Sequence, residues 1–301
     1  MKKTKRLFAI ILSVLLLSGL SGCGIFSTRM ARAIQKMSKL ESFQFELEAS
    51  LELALCLDTA ETEDDAPEQD ARRSLPISGS FTGNGEFYTD PFRLHLDSAL
   101  TLPGLTSRQT VYAEKEESAY YLYSRANEGS IWQKQGLAAW SAGKVNGIKY
   151  LVEAAAFFEE GEIEQVGGYT AQRYDGVFPG DYLAGLFELY HVREFLCEGL
   201  GLQLEEGVLE EVAETPASIW LDTDSGMVVR LDAELGEFAR VFADGQLEAT
   251  RDALGLDKLG LSLELEELHL SLRLSSFDGA EAFQIPDEAK SAWGDSVKPW
   301  E

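Results

Sequence analysis

The chain has 301 residues, and 45% of them are hydrophobic, so its composition is that of a globular protein rather than a disordered one. It counts 51 acidic and 26 basic residues, a formal net charge of −25. Binding to nucleic acid or to an anionic membrane surface requires clustered Lys and Arg, so this balance argues against both. We attribute the acidity to solubility outside the cell, with a cationic partner as the alternative.

The first 22 residues have the three parts of a secretory signal peptide. The segment MKKTKR carries four positive charges, an almost wholly apolar run extends from Leu7 to Leu20, and small residues lead to Cys23. The run is shorter than the roughly 20 apolar residues that a membrane-spanning helix needs. The order Leu20-Ser21-Gly22-Cys23 resembles the lipobox of bacterial lipoproteins, which implies cleavage after Gly22 and a diacylglyceryl group on the Cys23 sulfur.

The predicted mature chain starts at Cys23 and has 279 residues, a length that suits one large domain or two small ones. It keeps 22 basic residues against 51 acidic ones, a net charge of −29. Two or more acyl chains hold a protein firmly on a membrane. We therefore predict an extracytoplasmic domain that lipidated Cys23 anchors to the cell membrane. Ordinary secretion, with Cys23 as a chance residue, is the alternative.

Two further cysteines, Cys56 and Cys197, lie on different predicted elements. Outside the cytoplasm a disulfide between them is chemically allowed. Sequence alone does not show whether their Cα atoms come within bonding range. We favour two buried thiols over a disulfide.

The mature chain is predicted to open with the anchor, a linker and a short helix over residues 23–40, with helical turns at 27–39. The segment SFQFELEASLELALCLD then alternates polar and apolar residues over the sixteen positions from Ser42 to Leu57. Period-two alternation is typical of a strand with one buried and one solvated face. Sixteen residues at about 3.4 Å each span roughly 54 Å, so we expect this strand to belong to a strongly curved sheet or a barrel.

An acidic loop is predicted over residues 58–76. Residues 58–70 hold seven acids and Pro67, a composition typical of an exposed loop. Carboxylates are hard ligands for a metal ion, but no D-x-D-x-D-G spacing is present. We therefore favour a solvated loop over a metal site.

Five strand patterns then follow at short intervals, with Gly and Pro marking the bends. Consecutive strands joined by short turns form a meander, so the predicted sheet is antiparallel. The five segments are ISGSFTGNGEFYT, PFRLHLDSALTL, RQTVYAEKE, SAYYLYSR and SIWQKQ.

Helices are predicted to interrupt the meander. Residues 146–160 have one apolar face that includes Phe158, and Gly161 is the predicted stop. Two strands, GEIEQV and YTAQRYDGVF, come next. Asp181 then caps the segment DYLAGLFELYHVREFLCEGLGL, whose apolar residues cover most of the helix circumference, so this helix should be buried on several sides.

The segment ASIWLDTDSGMVVRLDAEL predicts two strands around Asp224-Ser225-Gly226. Asp222 and Asp224 are spaced like the start of a calcium loop, but the Gly and the closing Glu are not where such a loop needs them. We favour a hairpin turn.

The last long strand is LSLELEELHLSLRLSSF. Its leucines keep one phase up to Leu265 and the opposite phase from Leu268 onward. One extra residue near Glu266-Glu267 would restore the register, and such an insertion is a β-bulge. Because bulges increase twist, this strand also indicates a curved sheet.

No residue set in the sequence forms a recognised catalytic site, since the G-x-S-x-G, H-E-x-x-H and phosphate-loop motifs are missing. His95 and His269 fall among strand leucines, where a hydrogen-bonded structural histidine is the commoner case. His191 and Glu194 lie one helical turn apart and can share a metal or a proton, but a solvated helix face is favoured. We predict a protein that is not an enzyme and has no cofactor or metal.

Three pieces look like recurring pieces of lipoproteins with the lipoprotein-carrier fold: GGYTAQRY (167–174), IWLDTDSGMVVRLD (219–232) and FQIPDEA (283–289). That fold is shared by the LolA and LolB carriers and the mycobacterial LppX and LprG lipoproteins. The resemblance implies a single α+β domain over residues 41–290, a curved antiparallel half-barrel sheet with helices packed on its concave face. Residues 291–301 form a predicted C-terminal tail.

Some members of this group hold acyl chains between sheet and helices, which leads to two hypotheses. The first is a module that binds a lipid or other amphiphile in an apolar cavity. The second is a cell-envelope interaction or sensor lipoprotein with a filled core and no small-molecule ligand. We favour the first, mostly on the resemblance, while the ligand and any protein partner stay unknown. The candidate cavity-lining residues are Leu186, Phe187, Tyr190 and Phe158.

Overall fold

Most of the chain that the structure describes belongs to one large sheet. The computed structural model describes residues 29–57, 73–117, 119–137, 157–189, 214–236, 240, 261–292 and 294–295. The predicted signal peptide, Gly22, Cys23, residues 58–70 and the pair His191 and Glu194 lie outside these ranges, and so does Cys197. Among the described residues, no helix is both long and apolar enough to cross a membrane.

The described elements alternate short turns with long strands, and few of them are helices. The helices are α1 (Arg29–Met37), α2 (Gly180–Leu189) and α3 (Asp287–Lys290). The strands are β1 (Ser42–Leu57), β2 (Arg73–Tyr88), β3 (Arg93–Leu102), β4 (Leu105–Glu116), β5 (Ala119–Ala126), β6 (Gln133–Leu137), β7 (Phe158–Val166), β8 (Tyr169–Phe178), β9 (Thr215–Asp222), β10 (Val228–Glu234), β11 (Leu261–Ser275) and β12 (Gly294–Asp295).

The strands pair in the order β12-β6-β5-β4-β3-β2-β1-β11-β10-β9-β8-β7. All pairs are antiparallel except β12 with β6. This confirms the predicted antiparallel sheet. The first and last long strands meet at its centre, and each half of the sheet is a meander that spreads outward from that pair.

The register of β1 and β11 contains the predicted bulge. Glu52 pairs with Glu267 and the next residue, Leu53, pairs with Leu265, so Glu266 is the extra residue. The bulge brings the leucines on either side of it onto one face, and both Leu265 and Leu268 are buried in the main core. The two leucine phases of the sequence are therefore reconciled as we predicted.

The main hydrophobic core lies on one face of the sheet, which we call the apolar face. Helix α1 packs on this face through one stripe of small and apolar side chains, and Lys36 Nζ donates a hydrogen bond of 2.6 Å to the Ser225 carbonyl in the β9–β10 turn. The buried residues of α1 are Met30, Ala31, Ala33, Ile34 and Met37. The predicted N-terminal helix is confirmed.

The far end of β1 departs from the predicted alternation. Ala54 and Cys56 belong to its polar phase, yet they are 1% and 2% exposed. Cys56 is a free thiol. This end of the strand is covered on the face that we expected to be solvated.

The helix predicted over residues 146–160 is wrong at its C-terminal end. Phe158 begins β7, where it pairs with Gly176, and Gly161 lies within the same strand rather than after a helix. The register shifts between Glu160 and Ile163, so Gly161 sits in a bulge. Backbone pairing with β8 outweighs the local helical periodicity. Residues 146–156 lie outside the described residues.

The structure also begins β2 at Arg73, inside the range assigned to the acidic loop.

Glycines on β2 allow its neighbours to pack closely against the apolar face. Gly79 and Gly85 face the core opposite Leu51 and Phe45. A Cβ on Gly85 would run into the main-chain carbonyl of His95. A Cβ on Gly79 would lie 2.7 Å from Leu102 Cδ2, the tip of a half-buried side chain.

These two glycines make a matched pair of variants. We expect Gly85→Ala to lower the free energy of unfolding by about 1–3 kcal/mol, because the backbone of β3 must shift. Gly79→Ala should cost under about 1 kcal/mol, because the Leu102 side chain can rotate away. Urea unfolding of both variants measures the difference, and equal losses would contradict the described packing of β2 on β3.

Candidate functional site

The apolar face is closed at the end where α1 covers it. Phe43, Phe45 and Leu47 on β1 are each 1% exposed, and leucines of β3 and β11 pack around them. Phe43 stacks on Phe87 with 5.0 Å between ring centroids. This end is filled by the protein's own side chains.

Beyond this closed end the apolar face continues, but burial decreases. Leu75 and Leu105 are 60% and 56% exposed. We call this region the distal patch. Its other members are half-buried: Leu51, Leu53, Ile77, Phe81, Leu100 and Leu102. Strand registers place all of these side chains on the same face as the main core. The distal patch is therefore an apolar surface that the described packing leaves partly open.

A second part of the apolar face lies where β7, β8 and α2 meet. Phe158 contacts Phe178 edge-on with 5.2 Å between ring centroids. Helix α2 follows β8 directly, and the Pro179 carbonyl accepts hydrogen bonds of 3.1 Å from the backbone N–H groups of Tyr182 and Leu183. We call this region the aromatic edge: Phe158, Tyr174, Phe178, Tyr182 and Leu183, which all belong to the main core or pack against it.

The aromatic edge is adjacent to the N-terminus of α1. Arg29 Nη1 lies 3.6 Å from Glu160 Oε1, and both side chains are largely exposed. Glu160 pairs with Tyr174 across β7 and β8. The first residue of α1, which follows the predicted anchor in sequence, therefore lies beside this part of the apolar face.

Tyr174 is the residue of the aromatic edge that sequence analysis missed. Its side chain is 7% exposed, and its hydroxyl is a buried atom with no hydrogen-bond partner among the described residues. Its position in YTAQRYDGVF indicates that it is buried, because it has the same inward-facing strand phase as Phe178. A tyrosine at an inward position brings a polar atom into an apolar core.

The predicted cavity-lining residues have different outcomes. Phe158 lies on the aromatic edge, as part of a strand rather than a helix. Leu186 and Phe187 belong to α2, but their side chains lie outside the described residues, and Tyr190 lies outside them entirely. A role for these four residues in a cavity stays a prediction.

The opposite face of β3–β5 is covered by residues 280–292, which we call the C-terminal strap. At its centre, the Arg93 guanidinium lies 4.5 Å from the centroid of the Phe283 ring, and Arg93 Nη2 donates a 2.7 Å hydrogen bond to the Phe283 carbonyl. The rings of Tyr88, His95 and Tyr112 surround Phe283 at centroid distances of 5.5–5.9 Å. Aromatic and cation–π contacts thus fix the strap on the sheet.

A buried polar cluster fixes the other end of the strap. Tyr123 Oη lies 3.2 Å from Glu114 Oε1 and 3.4 Å from Glu116 Oε1, and Lys290 Nζ lies 3.2 Å from Glu114 Oε1. Burial, together with the negative charges and hydrogen-bond acceptors of the two glutamates, raises the pKa of Tyr123 well above its usual value. Tyr123 therefore stays a neutral donor with two acceptors in reach.

The two described histidines and Asp222 make hydrogen bonds within the strands and turns of the sheet. His95 Nδ1 lies 2.8 Å from Glu86 Oε2, and His269 Nδ1 lies 2.7 Å from Glu234 Oε1, which confirms both as hydrogen-bonded strand histidines. The Asp222 carboxylate accepts hydrogen bonds from the Ser225 backbone and hydroxyl, so this segment is the predicted hairpin turn. Within the described part of the chain, no group of His, Cys, Asp and Glu is arranged to hold a metal ion.

Comparison with solved structures returns the lipoprotein LppX of Mycobacterium tuberculosis, at 9% identity and a TM-score of 0.38, over 84% of this chain and 95% of that one. It also returns LprF from Mycobacterium bovis, at 10% identity and a TM-score of 0.41, over 92% of this chain and 98% of that one. LppX belongs to the group that the sequence pieces resemble. At these TM-scores the likeness carries no argument about function. No protein-family model and no curated protein matches the chain.

The aromatic edge generates a test of its packing. Replacing Phe158 by Ala removes a half-buried ring that contacts Phe178, and we expect the free energy of unfolding to fall by about 2–3 kcal/mol. Phe157 is the matched control, because this neighbouring residue is 46% exposed and contacts the aromatic edge through the Tyr182 ring, with 5.8 Å between ring centroids. Phe157→Ala should cost under about 1 kcal/mol. If denaturant unfolding shows the reverse order, Phe158 is not part of the core.

Proposed function

We propose that the chain is a membrane-anchored extracytoplasmic lipoprotein that binds a lipid or other amphiphile on the apolar face of its sheet. The observation that carries the proposal is the distal patch, where the apolar face continues past the closed end and two leucines are more than half exposed. Exposed, contiguous apolar surface is the kind of surface that acyl chains cover. In this proposal the helices beside the sheet complete the binding cavity.

The proposed architecture is a curved half-barrel with helices on its concave face, within a single domain over residues 41–290. Two described features support it. The bulge at Glu266 is of the kind that curves a sheet. Helix α1 packs on the apolar face, and the first turn of α2 packs against the same core. Leu186, Phe187 and Tyr190 follow that turn in sequence and would extend its apolar lining.

The cell-envelope interaction or sensor hypothesis is the second candidate. The closed end favours it, because Phe43, Phe45 and Leu47 fill that part of the core as tightly as in a protein without a ligand. In that case the distal patch would contact a protein partner.

The anchor has a direct test. Cys23 precedes α1 by six residues, so the domain would lie within about 20 Å of the membrane surface at this point. We expect cells that express the chain to incorporate labelled palmitate into it, and Cys23→Ser to abolish the label. Cys56→Ser is the matched control and should keep the label, because the Cys56 thiol is buried. A labelled Cys23→Ser protein would contradict lipidation at this residue.

Ligand binding is tested by native mass spectrometry of residues 23–301 with Cys23→Ser, purified from bacteria. We expect a lipid to co-purify at near one-to-one stoichiometry and solvent extraction to identify it. The distal patch is probed by Leu105→Glu, which should lower lipid occupancy by placing a carboxylate beside acyl chains.

The matched control for Leu105→Glu is Ile131→Glu. Ile131 is 89% exposed and precedes β6, outside the distal patch, so this change alters charge without touching the proposed site. Occupancy should stay at the level of the unsubstituted protein. A ligand-free mass that does not change after lipids are added would contradict the proposal and favour the second candidate.

A further inference from the structure

Within the described part of the chain, three buried side-chain atoms have no hydrogen-bond partner: Trp132 Nε1, Tyr174 Oη and Ser271 Oγ. Trp132 packs under the C-terminal strap. Ser271 lies between Leu270 and Leu272, which point into the main core, so it faces the opposite side of β11. Tyr174 is therefore the member of this set that lies in the core of the apolar face.

An unpaired hydroxyl at this position is costly. Leaving a buried donor or acceptor unsatisfied costs about 1–3 kcal/mol, whereas a ring without the hydroxyl would fill the same space without that cost. Phe158 and Phe178, which lie on the same face, show that a ring without a hydroxyl fits this part of the core. We therefore expect the Tyr174 hydroxyl to have a hydrogen-bond partner that is not one of the described side chains.

The chemistry of that partner follows from the surroundings. Tyr174 pairs with Ile219 on β9 and lies diagonally from Phe158 on β7. A buried water needs two to four polar partners, and among the cross-strand neighbours of Tyr174 only Glu160, its direct partner on β7, has a polar side chain. The nearest acid in the register, Glu160, is 57% exposed and lies beside Arg29. A phenol O–H is a good donor to a carbonyl oxygen that enters along an apolar surface.

We propose that Tyr174 Oη donates a hydrogen bond to an acyl-carbonyl oxygen of the bound amphiphile. Tyr174 then acts as a specificity-determining residue that selects acyl esters or amides over plain hydrocarbon chains and fixes how far the chain enters between sheet and α2. This inference rests on the proposed binding function and deepens it, because it assigns a polar contact on the same apolar face, at the aromatic edge rather than at the distal patch.

The experiment compares two probes of equal chain length, a pyrene-labelled acyl methyl ester and a pyrene-labelled alkane. Both are titrated by fluorescence into delipidated residues 23–301 with Cys23→Ser. We expect this protein to bind the ester more tightly than the alkane, and Tyr174→Phe to weaken ester binding about three- to tenfold. Alkane binding should not change, because the ring remains. Ser271→Ala removes the other buried hydroxyl that has no partner among the described residues, on the opposite face, and should leave both affinities unchanged.

A second readout separates a ligand contact from a structural role. Lipid-free Tyr174→Phe should be at least as stable to urea as the parent protein, because it removes an unsatisfied group. A clear loss of stability would mean that the hydroxyl has an internal partner, and would overturn the inference. So would binding of both probes with the same ester-to-alkane ratio in parent and variant, and the proposed function would then stand without it. If the parent binds neither probe, the proposed function fails and the inference fails with it.

Discussion

The pairing of β1 with β11 is the constraint on which the rest of the fold depends. These two strands are far apart in the sequence, yet they pair with each other at the centre of the sheet. The two meanders extend from them in opposite directions, so this long-range pair joins the two halves into one sheet. The exit from β11 is fixed to the entry of β1, since the Asp278 backbone N–H donates to the Ser42 carbonyl at 2.8 Å, and Asp278 Oδ1 accepts a 2.7 Å hydrogen bond from the Glu41 backbone N–H.

The two halves of the sheet, on either side of this central pair, are covered by different segments. On the half formed by β2–β6, the face opposite the main core is covered by the C-terminal strap, whose Phe283 is surrounded by aromatic rings and Arg93. The short strand β12 follows the strap and pairs with β6 at this edge of the sheet. On the half formed by β7–β10, the apolar face carries the aromatic edge beside α1 and α2. The strap contributes packing on the face of the sheet opposite the main core.

Local sequence patterns account for the elements that have one clear period. The strand β8 and the turn after Asp222 follow from alternation and turn residues, and the bulge at Glu266 follows from a change of leucine phase. Sequence patterns gave wrong predictions where a contact with a distant segment determines the local structure. Phe158 fits a helical stripe but pairs with β8, and Ala54 falls in the phase of β1 that we expected to be solvated but is buried. No local period reveals which segment will cover a strand, and the same limit hid the role of the C-terminal strap.

The candidate site was harder to predict, because its informative residue looks ordinary in sequence. Tyrosine at an inward strand position is common, and only its partners distinguish one case from another. Tyr123 is also buried, but its hydroxyl lies within reach of Glu114 and Glu116, as expected for a tyrosine that serves the fold. The Tyr174 hydroxyl lacks such a partner within the described residues. A core that is complete by itself gains nothing from that hydroxyl, whereas a face that receives a carbonyl-bearing chain does. The contrast between these two tyrosines therefore favours ligand binding over a fully filled core.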